Sequence, residues 1–324
     1  MKTFPLMSLG AMAFSHACVA LVVCLALFLA PNALMAPATL LVEPGLGTRQ
    51  IIQKMRESGQ LREPFGMIIL SHLLNAPLQA GEYQVRPKQS SASIFGMLWR
   101  GEGVLRQLTI PEGLTSYQIV HIINTAPAMV GQITTLPPEG SLLPETYRYS
   151  YGTSRYDMMQ TMQQHMQKTI AHLWEKRPSN YPLQTMQHFV TLASIVEKET
   201  GVAAERARVA GVFINRLRMG MKLQSDPTVI YGLSEGKGFL DRPLLRKDWL
   251  HQHPINTYVI DGLPPQPIAN PGLAALQATL SPETHDLIYF VADGTGGHVF
   301  ASNLKDHNTN VAAWQKINAK KNSP

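Results

Sequence analysis

Two carboxylates close an apolar stretch of this chain. In PLQTMQHFVTLASIVEKETG, Pro182 to Gly201, Glu197 and Glu199 follow Phe189, Leu192, Ala193 and Val196, which fall at the i, i+3, i+4, i+7 spacing of a buried helical face. A carboxyl on the edge of such a face is a candidate general acid, because burial favours its protonated form. At about 100° per residue, Glu199 lies about 60° from the middle of the stripe and Glu197 about 100° away on the other flank. The last helical turn also disfavours an anion. Glu199 is therefore the better candidate. A solvated charge paired with Lys198 or Arg206 is the ordinary role of a glutamate at a helix end.

The elements that would position this acid read as two helices joined at Gly201. Pro182 suits a first helical position, Gly201 suits a left-handed residue just past a helix end, and the second helix reaches Gly220. Beyond it, MKLQSDPTVIYGL is expected to turn at Asp226-Pro227-Thr228. Such a turn would present Gln224, Asp226, Thr228 and Tyr231 beside the end of the Glu199 helix. Asp and Thr are also ordinary turn formers. The proline-rich loop DGLPPQPIANPG carries Asn270, a candidate amide for a sugar N-acetyl group or a helix cap. LIYFVAD and HVFASN, Leu287 to Asn303, read as a hairpin around GTGG. That glycine cluster lacks the strand–turn–helix order of a nucleotide site and reads as a turn.

With 45% hydrophobic and 15% charged residues in 324, much of the chain can be buried in one large domain or two ordinary ones. The net charge of +6 is spread without a Lys/Arg cluster, so nucleic acid is not an expected partner. A mildly basic surface tolerates an anionic polymer or lipid. The histidines show no metal-ligand spacing. Both cysteines, Cys18 and Cys24, lie in the amino-terminal segment, which leaves no thiol chemistry to the rest.

No Asp, Glu, Lys or Arg occurs between Thr3 and Val42, and Ala17 to Ala30 is continuously apolar. A signal peptide cut near Ala33–Ala36 is one reading. An uncleaved membrane anchor beginning at Phe4 is the favoured one. Either exports the remainder. Residues 41–103 alternate short strands and helices: Leu40–Glu43, Thr48–Ser58, Glu63–Leu74, AGEYQV at 80–85, then a helix capped by serine. Strand and helix recur at 104–126, and the loop that follows carries Tyr147 and Tyr149, either core residues or stacking platforms for sugars.

The strand-and-helix pattern of 41–103 resembles the LysM-like module of cell-wall proteins. The run ASIVEKET…ER…VAGVFINRLRMGMKLQSDPTVIYG, with TYVIDGLPPQPIANPG and YFVADGTGGHVFASNLKDHN, resembles the MltG (YceG-like) endolytic murein transglycosylases. The resemblance implies an α+β chain in three parts: a cytoplasmic tip and inner-membrane anchor at 1–40, the LysM-like module at 41–103, and a mixed helical and β catalytic domain at 104–324 facing the periplasm. It implies a lyase acting within peptidoglycan glycan strands, between N-acetylmuramic acid and N-acetylglucosamine, to leave 1,6-anhydromuramic ends. One glutamate serves as acid and then base, and no metal or cofactor is required. Glu199-Thr200 resembles the Glu–hydroxyl pair of lysozyme-like lytic transglycosylases, and Glu197-Lys198 does not. Gln224, Asp226, Thr228, Tyr231 and Asn270 are then expected to bind glycan. Peptidoglycan synthases are candidate partners. Two other readings stay open: a muramidase using Asp226 as second carboxylate, and a non-catalytic wall-binding tether.

Overall fold

The computed structural model of the protein describes residues 7–61, 63–75 and 77–321. The chain divides into two compact units. Of the described residues, the first holds those up to 107 together with 128–130 and 148–153, and the second holds 108–127, 131–147 and those from 154 onward.

The first unit begins with α1 (Met7–Leu29), followed by β1 (Ala38–Val42), α2 (Thr48–Glu57), α3 (Phe65–Leu73), β2 (Gly81–Val85) and α4 (Ser91–Arg100). β1 and β2 are antiparallel, with Leu40 opposite Tyr83. Gly81, Tyr83 and Val85 face inward while Glu82 and Gln84 alternate outward. Their inner face meets Ile51, Met55, Met67, Ile94 and Leu98 in one core. Ser90 caps α4 by accepting a hydrogen bond from the Ser93 amide, and left-handed Gly101 ends it. Phe28, near the end of α1, is buried in the same core. Gly66 permits this approach, since a Cβ there would lie 2.5 Å from the Phe28 ring. Phe14, Val19, Leu21, Val22 and Leu25 of α1 are exposed. The expected membrane span starts at Phe4, outside the described residues. Among the described residues no helix is long and apolar enough to cross a membrane.

β3 (Arg106–Thr109) pairs with β4 (Thr146–Tyr149). Tyr147 and Tyr149 are both buried. The second unit continues with α5 (Ser116–Thr125), α6 (Arg155–Glu175), α7 (Met186–Glu199), α8 (Arg206–Arg218), α9 (Asp226–Leu233) and α10 (Leu273–Leu280). The hairpin β5 (Tyr289–Ala292) and β6 (His298–Ala301) follows, then α11 (Leu304–Lys321). The hairpin pairs Phe290 with Phe300 and Ala292 with His298.

At the centre of this unit, α7 departs from the single-stripe expectation. Every residue from Phe189 to Val196 is buried. A helix buried on all sides needs its polar groups satisfied from within. Ser194 does this by donating to the Thr191 carbonyl at 2.7 Å and accepting from the Ile268 amide at 3.0 Å. Truncating fully buried Phe189 to alanine is expected to destabilise this core by about 3–5 kcal/mol.

Three local expectations are corrected. Pro182 does not start α7. Thr185 caps it instead, accepting from the His188 amide at 3.1 Å, because Leu183 is drawn into the core and Tyr181 is bonded to the Thr279 carbonyl. Gly201 is not left-handed, for α7 ends at extended Thr200. Asp226-Pro227-Thr228 forms the first turn of α9 rather than a free turn. Proline is tolerated there because the amide it lacks has no intrahelical partner in any case. The bend falls earlier, at Gln224, whose φ is +51°.

Candidate active site

Because α7 is enclosed up to Val196, its two glutamates emerge together from the core, and both are half-buried. Their surroundings differ. Glu197 Oε2 accepts a hydrogen bond from the Gly272 amide at 2.9 Å. Gly272 is the residue before α10, so Glu197 supplies the acceptor that this helix start lacks. Burial raises its pKa; the Gly272 amide opposes this and nearby Glu112 adds to it.

Glu199 lines a cleft of about 380 Å³. The opposite walls are the 294–297 glycine loop, His298 and the α11 residues Trp314, Ile317 and Asn318. Gly201 also lines the cleft, and the space where its Cβ would sit is open. The Ser225 hydroxyl donates to Glu199 Oε1. Burial pushes the Glu199 carboxyl up to about 7. The Ser225 hydrogen bond opposes this, the Asp226 carboxylate reinforces it, and His298 and Arg216 oppose it more weakly. A carboxyl that keeps its proton near neutrality beside an open cleft can donate that proton to a bound leaving group.

The remaining expected residues are placed unequally. Asp226 lies beside Glu199 through the turn that brings Ser225 to it. Its Oδ1 accepts from the Tyr258 hydroxyl at 2.6 Å and from Trp249 Nε1 at 3.0 Å, with those two rings stacked. Gln224 is exposed. Thr228 is fully buried and bonded to the Ser225 carbonyl and Thr257 hydroxyl. Tyr231 is buried, and its hydroxyl accepts from Gln266. Asn270 has no exposed surface. Its amide oxygen holds the Leu142 N–H, and its nitrogen donates to the Leu114 carbonyl and Ser116 hydroxyl. In place of groove-lining, Thr228 and Asn270 tie loops together inside the fold. None of these five residues is on the wall of the Glu199 cleft.

Sequence reasoning passed over the opposite wall. The GTGG loop does form a turn, but it is also a surface of the cleft. Asp293 gathers it, accepting from the Thr295 and Gly297 amides. His298 Nδ1 donates to Glu205 Oε2 at 2.9 Å, and its backbone amide donates to Glu205 Oε1 at 3.0 Å. A histidine directly after paired glycines at a strand start was the available signal. Its partner, 93 residues away, left none.

A larger cleft of about 930 Å³ lies elsewhere in this unit, lined mainly by apolar and glutamine side chains with Glu139 at its edge. Glu139 accepts from the Ser116 amide at 2.6 Å at the start of α5, and its other oxygen is sealed from solvent.

An endolytic murein transglycosylase of Bacillus subtilis (strain 168) is 38% identical over 173 residues, 53% of this chain and 46% of that protein. One from Streptococcus pneumoniae serotype 2 is 30% identical over 289 residues, 76% of this chain and 52% of that protein. The chain thus spans about half the length of these curated relatives. A crystal structure of a yceG-like protein, lmo1499, from Listeria monocytogenes matches with a TM-score of 0.53 and 28% identity, covering 84% of this chain and 98% of that one. The sequence profile of the YceG-like family matches residues 40–313, and the chain belongs to that family.

Proposed function

We propose that the protein is an endolytic murein transglycosylase, a lyase that cuts peptidoglycan glycan strands between N-acetylmuramic acid and N-acetylglucosamine. Glu199 protonates the departing glycosidic oxygen. The 6-hydroxyl of the muramic residue then closes on its own anomeric carbon and gives its proton to Glu199, leaving a 1,6-anhydro end. Attack from within the same sugar has the advantage of proximity and needs no second carboxylate. The observation that carries this reading is the Glu199 carboxyl, raised to about 7 by burial at the wall of a cleft. Asp226, the candidate second carboxylate of a water-using muramidase, has an oxygen committed to Tyr258 and Trp249, which favours the one-carboxyl route.

The strand–helix–helix–strand order of the first unit supports a LysM-like wall-binding role for residues 41–103. The apolar side chains exposed along α1 support its use as an inner-membrane anchor, with the rest of the chain in the periplasm. Mature protein starting near Ala36 would exclude the anchor while leaving export intact. Synthases of the same polymer are candidate partners.

Digestion of isolated sacculi, with mass spectrometry of the released ends, tests the chemistry. The wild type is expected to give anhydro ends and Glu197→Gln to retain most activity, while Glu199→Gln gives none. Free reducing ends from the wild type would mean a hydrolase. An inactive Glu197→Gln beside an active Glu199→Gln would transfer the acid to Glu197.

A further inference from the structure

The wall facing Glu199 carries His298, which is paired with Glu205 in a contact that the mechanism above does not use. Glu205 closes the short 3₁₀ turn Ala203–Glu205, and His298 opens β6. Both are largely enclosed, with side-chain exposures of 17% and 15%. The carboxylate is held at both oxygens by one residue: Oε1 takes the His298 backbone N–H, and Oε2 takes ring Nδ1. The loop is shaped to admit it, since a Cβ on Gly297 would lie 2.8 Å from Glu205 Oε1 and Gly296 has a φ of +108°. The Phe290 ring meets the imidazole edge-on at 5.3 Å, and Phe300 lies at 6.3 Å. With Nδ1 committed, Nε2 is the one ring nitrogen left for the cleft that His298 lines with Glu199, and no group among the described residues bonds it.

We propose that Glu205 fixes His298 as the Nδ1–H tautomer, so that Nε2 accepts a hydrogen bond from a hydroxyl or N-acetyl N–H of the glycan bound against Glu199. The hydrogen bond made by one imidazole nitrogen decides what the other offers. His298 is thereby a substrate-contacting residue, and Glu205 a positioning residue acting through it. No proton is transferred in this contact, so Glu199 remains the only group that gives and takes one. The assignment rests on the transglycosylase reading of the cleft and adds a second point of contact for the sugar across from the acid.

Glu205→Gln makes the test specific. The backbone N–H of His298 is a fixed donor, so the glutamine oxygen stays on it and the amide nitrogen faces Nδ1. Two donors cannot pair, and the imidazole must move its proton to Nε2, turning the acceptor in the cleft into a donor. Long-range ¹H–¹⁵N correlation spectra of the full chain, labelled at histidine, read the tautomer directly. The His298 signals are identified by their absence in His298→Phe. We expect Nδ1–H in the wild type, Nε2–H in Glu205→Gln, and a loss of kcat/KM on a defined glycan of about tenfold or more at unchanged Tm. His298→Phe keeps an aromatic ring against Phe290 and Phe300 and is expected to lose as much. His298→Gln, whose terminal oxygen reaches the place of Nε2, is expected to recover part of it. Wild-type protein with Nδ1 unprotonated, a switched tautomer with full activity, or a fully active His298→Phe would each overturn the proposal. If Glu205→Gln does not fold, the contrast between His298→Phe and His298→Gln decides, and equal activity of the two overturns it. Glu199→Gln measured alongside separates the readings: its retained activity would remove the acid assignment whatever His298 does.

Discussion

The second unit holds two carboxyls raised to about the same value, near 7, in each case chiefly by burial, and only one of them faces a cleft that can use it. Glu139 sits at the edge of the larger cleft, yet one oxygen is fixed on the Ser116 amide and the other is shut away without a partner. Glu199 stands at the smaller cleft, with a hydroxyl from Ser225 on its carboxyl, a glycine wall opposite, and Trp314, His298 and Asn318 around the opening. A raised pKa records desolvation, which a helix start buried under a loop produces as readily as an active site. What separates the two is access together with convergent polar groups. Cleft volume alone would point to Glu139, the carboxyl with one oxygen on an amide and the other sealed from solvent.

Replacing each carboxyl by its amide separates the two sites most sharply. Glu199→Gln is expected to lower the release of anhydro products by roughly 10²–10⁴-fold with the fold intact. Glu139→Gln is expected to stay within about twofold, since the amide can still accept from the Ser116 N–H. Equal losses in the two variants would erase the distinction. A smaller effect comes from filling the cleft. Gly201 meets open space at its Cβ position and does not need a positive φ, so Gly201→Phe costs little in folding while obstructing the glycan. A loss of about tenfold or more in kcat/KM at unchanged Tm is expected, and full activity would place the substrate elsewhere.

Two neighbours of Glu199 should move its titration in opposite directions. A general acid works only while protonated, so activity falls as pH rises through its pKa. Ser225 lowers that pKa and Asp226 raises it. Ser225→Ala should therefore carry the alkaline limb of kcat/KM to higher pH, and Asp226→Asn to lower pH. Shifts of the same sign would contradict this account of the site's electrostatics. The smallest effect concerns stability. Glu139 has a folded pKa near 7 against an ordinary 4.5, so its contribution is complete below about pH 4.5 and is lost as pH rises through 7. Glu139→Gln should flatten the decline between pH 5 and pH 8 by about 1–3 kcal/mol, read from urea unfolding at the two pH values. An unchanged slope would mean the carboxyl is not desolvated.

Local periodicity carried much of the arrangement around Glu199. The 3.6-residue spacing of Phe189, Leu192, Ala193 and Val196 marked the helix, but α7 is buried all round from Phe189 to Val196, so angular distance from one stripe does not distinguish Glu199 from Glu197. The alternation in AGEYQV and the hairpin at 287–303 were legible for the same reason. Helix starts were less so: Pro182 looked like one, but core packing of Leu183 moved the start to Thr185. Asp226-Pro227 reads equally as a turn or a first helical turn, and only the strained Gln224 before it decides. Asn270 carried the polarity of a ligand residue, yet its hydrogen bonds to Leu114, Ser116 and Leu142 come from segments more than 120 residues away. The Glu205–His298 pair was invisible for the same reason, because no local pattern encodes a contact between distant segments.

The proposed mechanism requires Glu199 to hold its proton near neutral pH while facing the cleft. Carboxyl ¹³C titration of glutamate-labelled protein tests it most directly, with the Glu199 resonance identified by its loss in Glu199→Gln. A midpoint near 7 is expected, with Glu199 protonated at pH 6. A midpoint near 4.5, the ordinary value for a solvated glutamate, would contradict it.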